Sequence, residues 1–192
     1  QRGSLMYRTP PLPEDIEVTG SIALYAKQSN FTHGLTSLTS TGSIYLNFTE
    51  CTIGGDLIGR VSTGGITIRS YNVKYTKDAV WDFKTSTGSI DANIHQFTEI
   101  GASITGSLIS STGSVNLYYR DNLASIGAEF TGSTSTGSVT YTPIGFGGFN
   151  VAGSTTYKTI TSINYDIAIY TYTFDLSTST GSVKVTGQSA YP

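Results

Sequence analysis

The chain has 192 residues, of which 38% are hydrophobic and only 12% charged, and its formal net charge is −2. That length can bury a sizeable core, while the charge is about half the usual share, so the surface must be polar and nearly neutral; 55 residues are Ser or Thr. No basic stripe is present to neutralise phosphates, which argues against nucleic acid as a partner, and no apolar run reaches the length of a membrane-spanning helix.

A chain that begins at Gln1 rather than Met is expected to be a processed, secreted form without a membrane span. Ser4 to Thr9 is a weak candidate strand, with Leu5 and Tyr7 on one face, and Pro10, Pro11 and Pro13 then make a stiff, extended linker. Ile16, Val18, Gly20, Ile22, Leu24 and Ala26 occupy every even position for eleven residues, the longest strict alternation in the chain. As a single strand this run would span on the order of 35 Å. It divides the chain into an N-terminal tail, 1–27, and a β-repeat body, 28–192. These six residues are either a donor strand inserted into a neighbouring copy or the first rung of the chain's own body; the spacing fits both.

Asn-Phe-Thr sequons stand at Asn30 and Asn47. In the run from Ile44 to Thr49 the alternation puts Ile44, Leu46 and Phe48 on one face and Tyr45, Asn47 and Thr49 on the other, so Asn47 is expected to face solvent as a glycan acceptor. Cys51, the only cysteine, has no disulfide partner in the chain and no neighbouring His, and is expected to be a small buried hydrophobe.

From here the dominant signal is a repeat. STGS or a one-residue variant recurs around Gly42, Gly64, Gly88, Gly113, Gly137 and Gly181, at spacings of 22, 24, 25, 24 and 44, with an earlier Thr-Gly-Ser at Gly20. Each copy opens an alternating apolar stretch beginning with Ile or Val. The pattern predicts about eight units of 22–25 residues, one of them degenerate near residue 160, stacked so that each covers its neighbour. The expected fold is all-β, a β-solenoid or a two-sheet β-sandwich, with almost no helix. Tyr71 to Phe83, which holds the only Trp, and Thr142 to Thr156 are expected to be a long loop or short helix. The second segment either covers the core or displays Phe146 and Phe149 as a contact loop.

Catalytic chemistry finds little footing. His33 and His95 lack metal-ligand spacing, the aspartates are scattered without a calcium-loop pattern, and there is no nucleophile elbow or phosphate loop. The expectation is no enzyme activity, no catalytic residue, no metal and no cofactor. Tyr71, Tyr75, Tyr118, Tyr170 and Tyr172 are candidate outward stacking platforms.

The STGSI and STGSV units resemble the adhesin-like family of β-solenoid domains of unknown function, over residues 16–188. The Ser/Thr/Tyr-rich, charge-poor composition is also similar to extracellular surface proteins of thermophilic archaea, including subunits of their thread and pilus filaments. That resemblance implies a glycosylated structural subunit on the cell surface. It would polymerise head to tail with copies of itself, an N-terminal strand of one completing the sheet of the next. A monomeric secreted module that binds carbohydrates or surfaces is the alternative expectation.

Overall fold

The computed structural model describes residues 15–145 and 148–189, with side chains from residue 19 onward. Strands make up 67% of the described residues, which contain no α-helix.

The chain winds in coils. The first coil comprises β1 (Asp15–Val18), β2 (Ile22–Lys27) and β3 (Asn30–Phe31); the second β4 (Leu35–Thr41), β5 (Ile44–Thr49) and β6 (Thr52–Ile53); the third β7 (Leu57–Thr63), β8 (Ile66–Tyr71) and β9 (Lys74–Tyr75). The fourth is β10 (Ala79–Thr87) with β11 (Ile90–Gln96), and the fifth β12 (Ile104–Thr112) with β13 (Val115–Asp121). Then come β14 (Ile126–Thr136) with β15 (Val139–Pro143), a pair β16 (Phe149–Gly153) and β17 (Tyr157–Ser162), a 3-10 turn at Tyr165–Ile167, and finally β18 (Tyr170–Thr180) with β19 (Val183–Gln188).

Three sheets run along the stack. The first has the order β1-β4-β7-β10-β12-β18-β14-β17-β16, the second β15-β19-β13-β11-β8-β5-β2, and the small third β3-β6-β9. Pairing is parallel from coil to coil, with Leu35 opposite Leu57 and Leu57 opposite Trp81, so the repeat length of the sequence is the register of the sheets. The two large sheets face each other across one core, as in a sandwich, but are joined by coiling rather than by hairpins.

At each corner between the two large sheets sits a repeat glycine. Seven of them, Gly20, Gly42, Gly64, Gly88, Gly113, Gly137 and Gly181, have φ between 122° and 140°, a region that side-chain-bearing residues rarely enter. They stack in a column, and a Cβ on Gly88 would lie far inside van der Waals contact with the carbonyl of Gly64. The residues flanking the glycine tie the column together. Backbone N–H groups of Ser43 and Ser114 donate to the hydroxyls of Ser21 and Ser89 in the preceding coil, at 3.1 and 3.2 Å. Three residues before the glycine, the hydroxyls of Thr39, Thr85, Ser110 and Thr178 donate to the carbonyls of Gly20, Gly64, Gly88 and Gly113 at 2.7–2.8 Å. Val61 holds that position in the third coil, where no hydroxyl is available.

Because strands alternate their faces, stacked coils convert alternation into columns. Ile22, Ile44, Ile66, Ile90, Val115, Val183 and Val139 form one buried β-branched column behind the corner. In the first sheet Trp81 and Phe174 lie on either side of Gly106, their rings 5.5 Å apart, and a Cβ at Gly106 would strike the Phe174 ring. Trp81 is fully buried and donates its indole N–H to the Tyr75 hydroxyl at 2.8 Å, which satisfies both polar tips inside the core.

Four expectations are corrected. The run from Ile16 to Ala26 is not one strand: it turns at Gly20, placing β1 in the first sheet and β2 in the second. Tyr71 to Phe83 is neither helix nor long loop, since it contains β9 and the start of β10. The segment 142–156 holds the end of β15 and all of β16. The unit near residue 160 is no coil; it is the antiparallel pair β16–β17, laid antiparallel on β14. The last coil, β18–β19, then inserts out of order between the fifth coil and β14–β15, so Gly181 stacks between Gly113 and Gly137.

Gly88→Ala is therefore expected to cost several kcal/mol, by combining a disallowed φ with a backbone clash. Gly65→Ser, which restores the serine found at the other corners and meets nothing closer than the Ser89 carbonyl at 3.2 Å, should change stability by less than about 1 kcal/mol. Urea unfolding of both variants checks the pair; equal losses would contradict the column.

Candidate functional site

Four features of the surface could carry function: the two ends of the stack and the outer faces of the two large sheets. At the start of the stack, β1, β2 and β3 are the edge strands of their sheets, and among the described residues nothing pairs with their free sides. The Ile22 and Gln28 amides donate inward, to Ser43 and Thr49 carbonyls at 2.8 and 2.9 Å. Alternation along a parallel strand therefore turns the Ala23 and Tyr25 amides outward. Of the residues expected to form a donor strand, Ile22, Leu24 and Ala26 are buried in the chain's own core, Gly20 is the first corner, and Ile16 and Val18 lie in β1. Ser4 to Thr9 and the proline linker lie outside the described residues.

The far end is built differently, with β16 and β15 as the outermost strands of the two large sheets. β17 runs antiparallel on β14 and β16 antiparallel on β17, and the Thr155 and Thr156 carbonyls accept from the Val139 and Thr134 amides across the last corner. Edge strand β15 finishes at Pro143, which has no N–H to offer a neighbour. Phe149 is half-buried against Tyr119, Phe130 and Tyr141, with ring centroids 5.8–6.2 Å away, so it packs on the core. Phe146 lies outside the described residues.

The outer face of the first sheet has a depression of about 800 Å³, where Arg60 and Lys84 stand side by side between Leu38 and Ile109. Both cations are engaged by Asp82: Arg60 Nη2 contacts its carboxylate directly and Lys84 Nζ lies 3.3 Å away. Burial alone would raise the Asp82 carboxyl, but hydrogen bonds from Arg60, Ser107 and Lys84 outweigh it and hold the group below the usual carboxylate range.

The outer face of the second sheet is different in kind. Its register aligns Tyr25, Asn47, Arg69, Asn93 and Tyr118 in one row across the coils, with Lys27, Thr49, Tyr71, His95 and Arg120 in the next. Rings meet along it: Tyr25 and Tyr45 at 5.1 Å, His95 stacked on Tyr118 at 5.0 Å, and Tyr71 at 6.1 Å from both His95 and Phe97. Arg69 lies 5.5 Å over Tyr45 and Arg120 5.6 Å over Phe97, both in cation–π range. Two adjoining depressions of about 400 and 300 Å³ share Arg69 and Asn93 as lining residues. Asn47 sits in this face between Tyr25 and Arg69, and Asn30 is exposed on the small third sheet. Of the tyrosines expected as platforms, Tyr71 and Tyr118 are on this face, whereas Tyr75 and Tyr172 are fully buried and Tyr170 packs half-buried on the core.

No group of three or more His, Cys, Asp or Glu side chains that could hold a metal occurs among the described residues. Cys51 is buried, and burial pushes its thiol up. His33 lies within 3.2 Å of the Thr32 hydroxyl. No helix of the described residues is long and apolar enough to cross a membrane. No protein-family model, curated protein or solved structure matches the chain.

Burial, and then repulsion from Arg120, lower the His95 pKa below the ordinary value of 6.5. A depressed histidine favours the neutral folded state, so its contribution is complete above the unfolded pKa and is lost as pH falls from about 6.5 through the folded value. Wild-type melting temperature should thus decline between about pH 7.5 and 5, and His95→Phe should flatten part of that decline. An unchanged slope in the variant would contradict this assignment.

Proposed function

We propose that the chain is a structural module of an extracellular surface assembly that joins copies of itself end to end through its first coil. The observation that carries this reading is the difference between the two ends: among the described residues the first coil presents unpaired parallel-strand edges in all three sheets, whereas the other end is overlaid by the antiparallel β16–β17 pair, with β16 outermost, and by β15, which ends at Pro143. An open edge with buried apolar residues behind it is a template for strand addition, in which main-chain hydrogen bonds supply register. Two antiparallel steps also return β16 to the direction of β14 and β1, so the outer strands at the two ends run the same way and suit head-to-tail pairing rather than a closed dimer. The hydroxyl-rich, charge-poor faces and the exposed sequon at Asn30 suit a glycosylated surface protein outside the cell.

Ala23→Pro tests the joint. It removes an amide that faces outward at the edge and so leaves the intramolecular ladder intact. By negative-stain microscopy and size-exclusion chromatography, the full chain should form linear assemblies, and the variant should be a monomer with unchanged circular dichroism. Assemblies that persist in Ala23→Pro, or a full chain that stays monomeric at high concentration, would overturn the proposal.

A further inference from the structure

We infer that the outer face of the second sheet is a binding groove for an acidic, carboxylate-bearing oligosaccharide, a property independent of end-to-end assembly. The two joined depressions run obliquely across β5, β8, β11, β13 and β19. Arg69 on β8 and Lys184 on β19 stand at its two parts and, unlike Arg60 and Lys84 on the opposite sheet, have no carboxylate partner among the described residues. They are three strands apart, about 14 Å, so two anionic groups of one extended ligand could be met simultaneously. Between them the Asn93 side-chain amide on β11 makes no hydrogen bond within the described residues. Asn116 is oriented by donating to Asp91 at 2.7 Å.

Flat rings complete the lining. Tyr118, stacked on His95, and Tyr71, which is 41% exposed, present apolar faces beside the planar amides and guanidinium. Aromatic faces suit the C–H surfaces of sugar rings, and amides that both donate and accept suit vicinal hydroxyls. A guanidinium fits a carboxylate in two parallel hydrogen bonds. The groove is open, shallow and polar, which matches a hydrated chain lying along a surface rather than an apolar small molecule enclosed in a pocket. Charge decides the class: two cations free of carboxylates against one acid, already tied to Asn116, favour an anionic saccharide over a neutral one.

The test uses the full chain produced without glycosylation, so that no sugar on Asn47 occupies the groove. Isothermal titration with trigalacturonate, and with maltotriose as the neutral probe, should show binding of the acidic trisaccharide that weakens with salt, and at least tenfold weaker binding of maltotriose. Arg69→Gln and Lys184→Gln should each weaken trigalacturonate binding by about tenfold or more, Tyr118→Ala should do likewise, and Arg60→Gln on the other sheet should leave it unchanged. All of these positions are on outer faces, and thermal melts confirm that each variant is folded. The inference is overturned by no trigalacturonate binding at millimolar concentration, by equal binding of maltotriose, or by equal affinity in the Arg69 and Lys184 variants.

Discussion

The structure depends on how closely backbone can approach backbone at the glycine corners. Parallel strands must be about 4.8 Å apart along the stack, and at the turn between the two large sheets there is no room for a side chain between one coil and the next. Glycine meets both demands, the positive φ and the close approach. Once the corners stack, every coil has the same width and phase. Alternation within a strand then becomes buried columns inside and rows of like-placed side chains outside. Both candidate functional surfaces are products of that alignment: the open first coil, and the row that brings Asn47, Arg69, Asn93 and Tyr118 together from four different coils.

The out-of-order last coil gives the stack its polarity. β14 and β15 lie beside β18 and β19, which follow them in the chain, and of these four strands only β18 and β19 pair with the fifth coil. The sixth corner therefore lacks its neighbour until the C-terminal strands arrive, a pairing that spans 44 residues on one side and 68 on the other. Such non-local closure is slow to form. It buries Phe174, Leu176, Val183 and Val185 in the middle of the stack rather than at its end. The β16–β17 pair occupies the end instead.

Much of this is legible from the chain and some of it is hidden for physical reasons. The repeat glycines, the inward Ile and Val residues and the all-β character follow from the motif and from alternation, because each is a local property. The break at Gly20 is masked because the glycine falls on an even position, so the alternation passes through the corner undisturbed. The 44-residue gap before Gly181 looks like two periods, since identical corners carry no information about which one neighbours which. Rows across the sheet were equally invisible: Asn47 and Arg69 are 22 residues apart, and only the register makes them adjacent. Tyr75 and Tyr172 mislead for a different reason. Both are amphipathic, and their hydroxyls find core partners, Trp81 at 2.8 Å and Gln96 at 3.4 Å, that composition does not reveal. One further signal was available: the hydroxyl-bearing residue three places before the glycine, which recurs at Thr39, Thr85, Ser110, Thr134 and Thr178 and donates to the adjacent coil.

The central claim is that the first coil is the joining end. Hydrogen–deuterium exchange of the full chain, followed by mass spectrometry across a range of concentrations, addresses it at the level of individual strands. The expected result is that the outward-facing amides within residues 15–27, among them those of Ala23 and Tyr25, exchange quickly in dilute solution and slow markedly as concentration rises, while the central strands β8, β11 and β13 stay protected throughout. Concentration-dependent slowing confined to the outer faces of the sheets, with residues 15–27 unaffected, would contradict it.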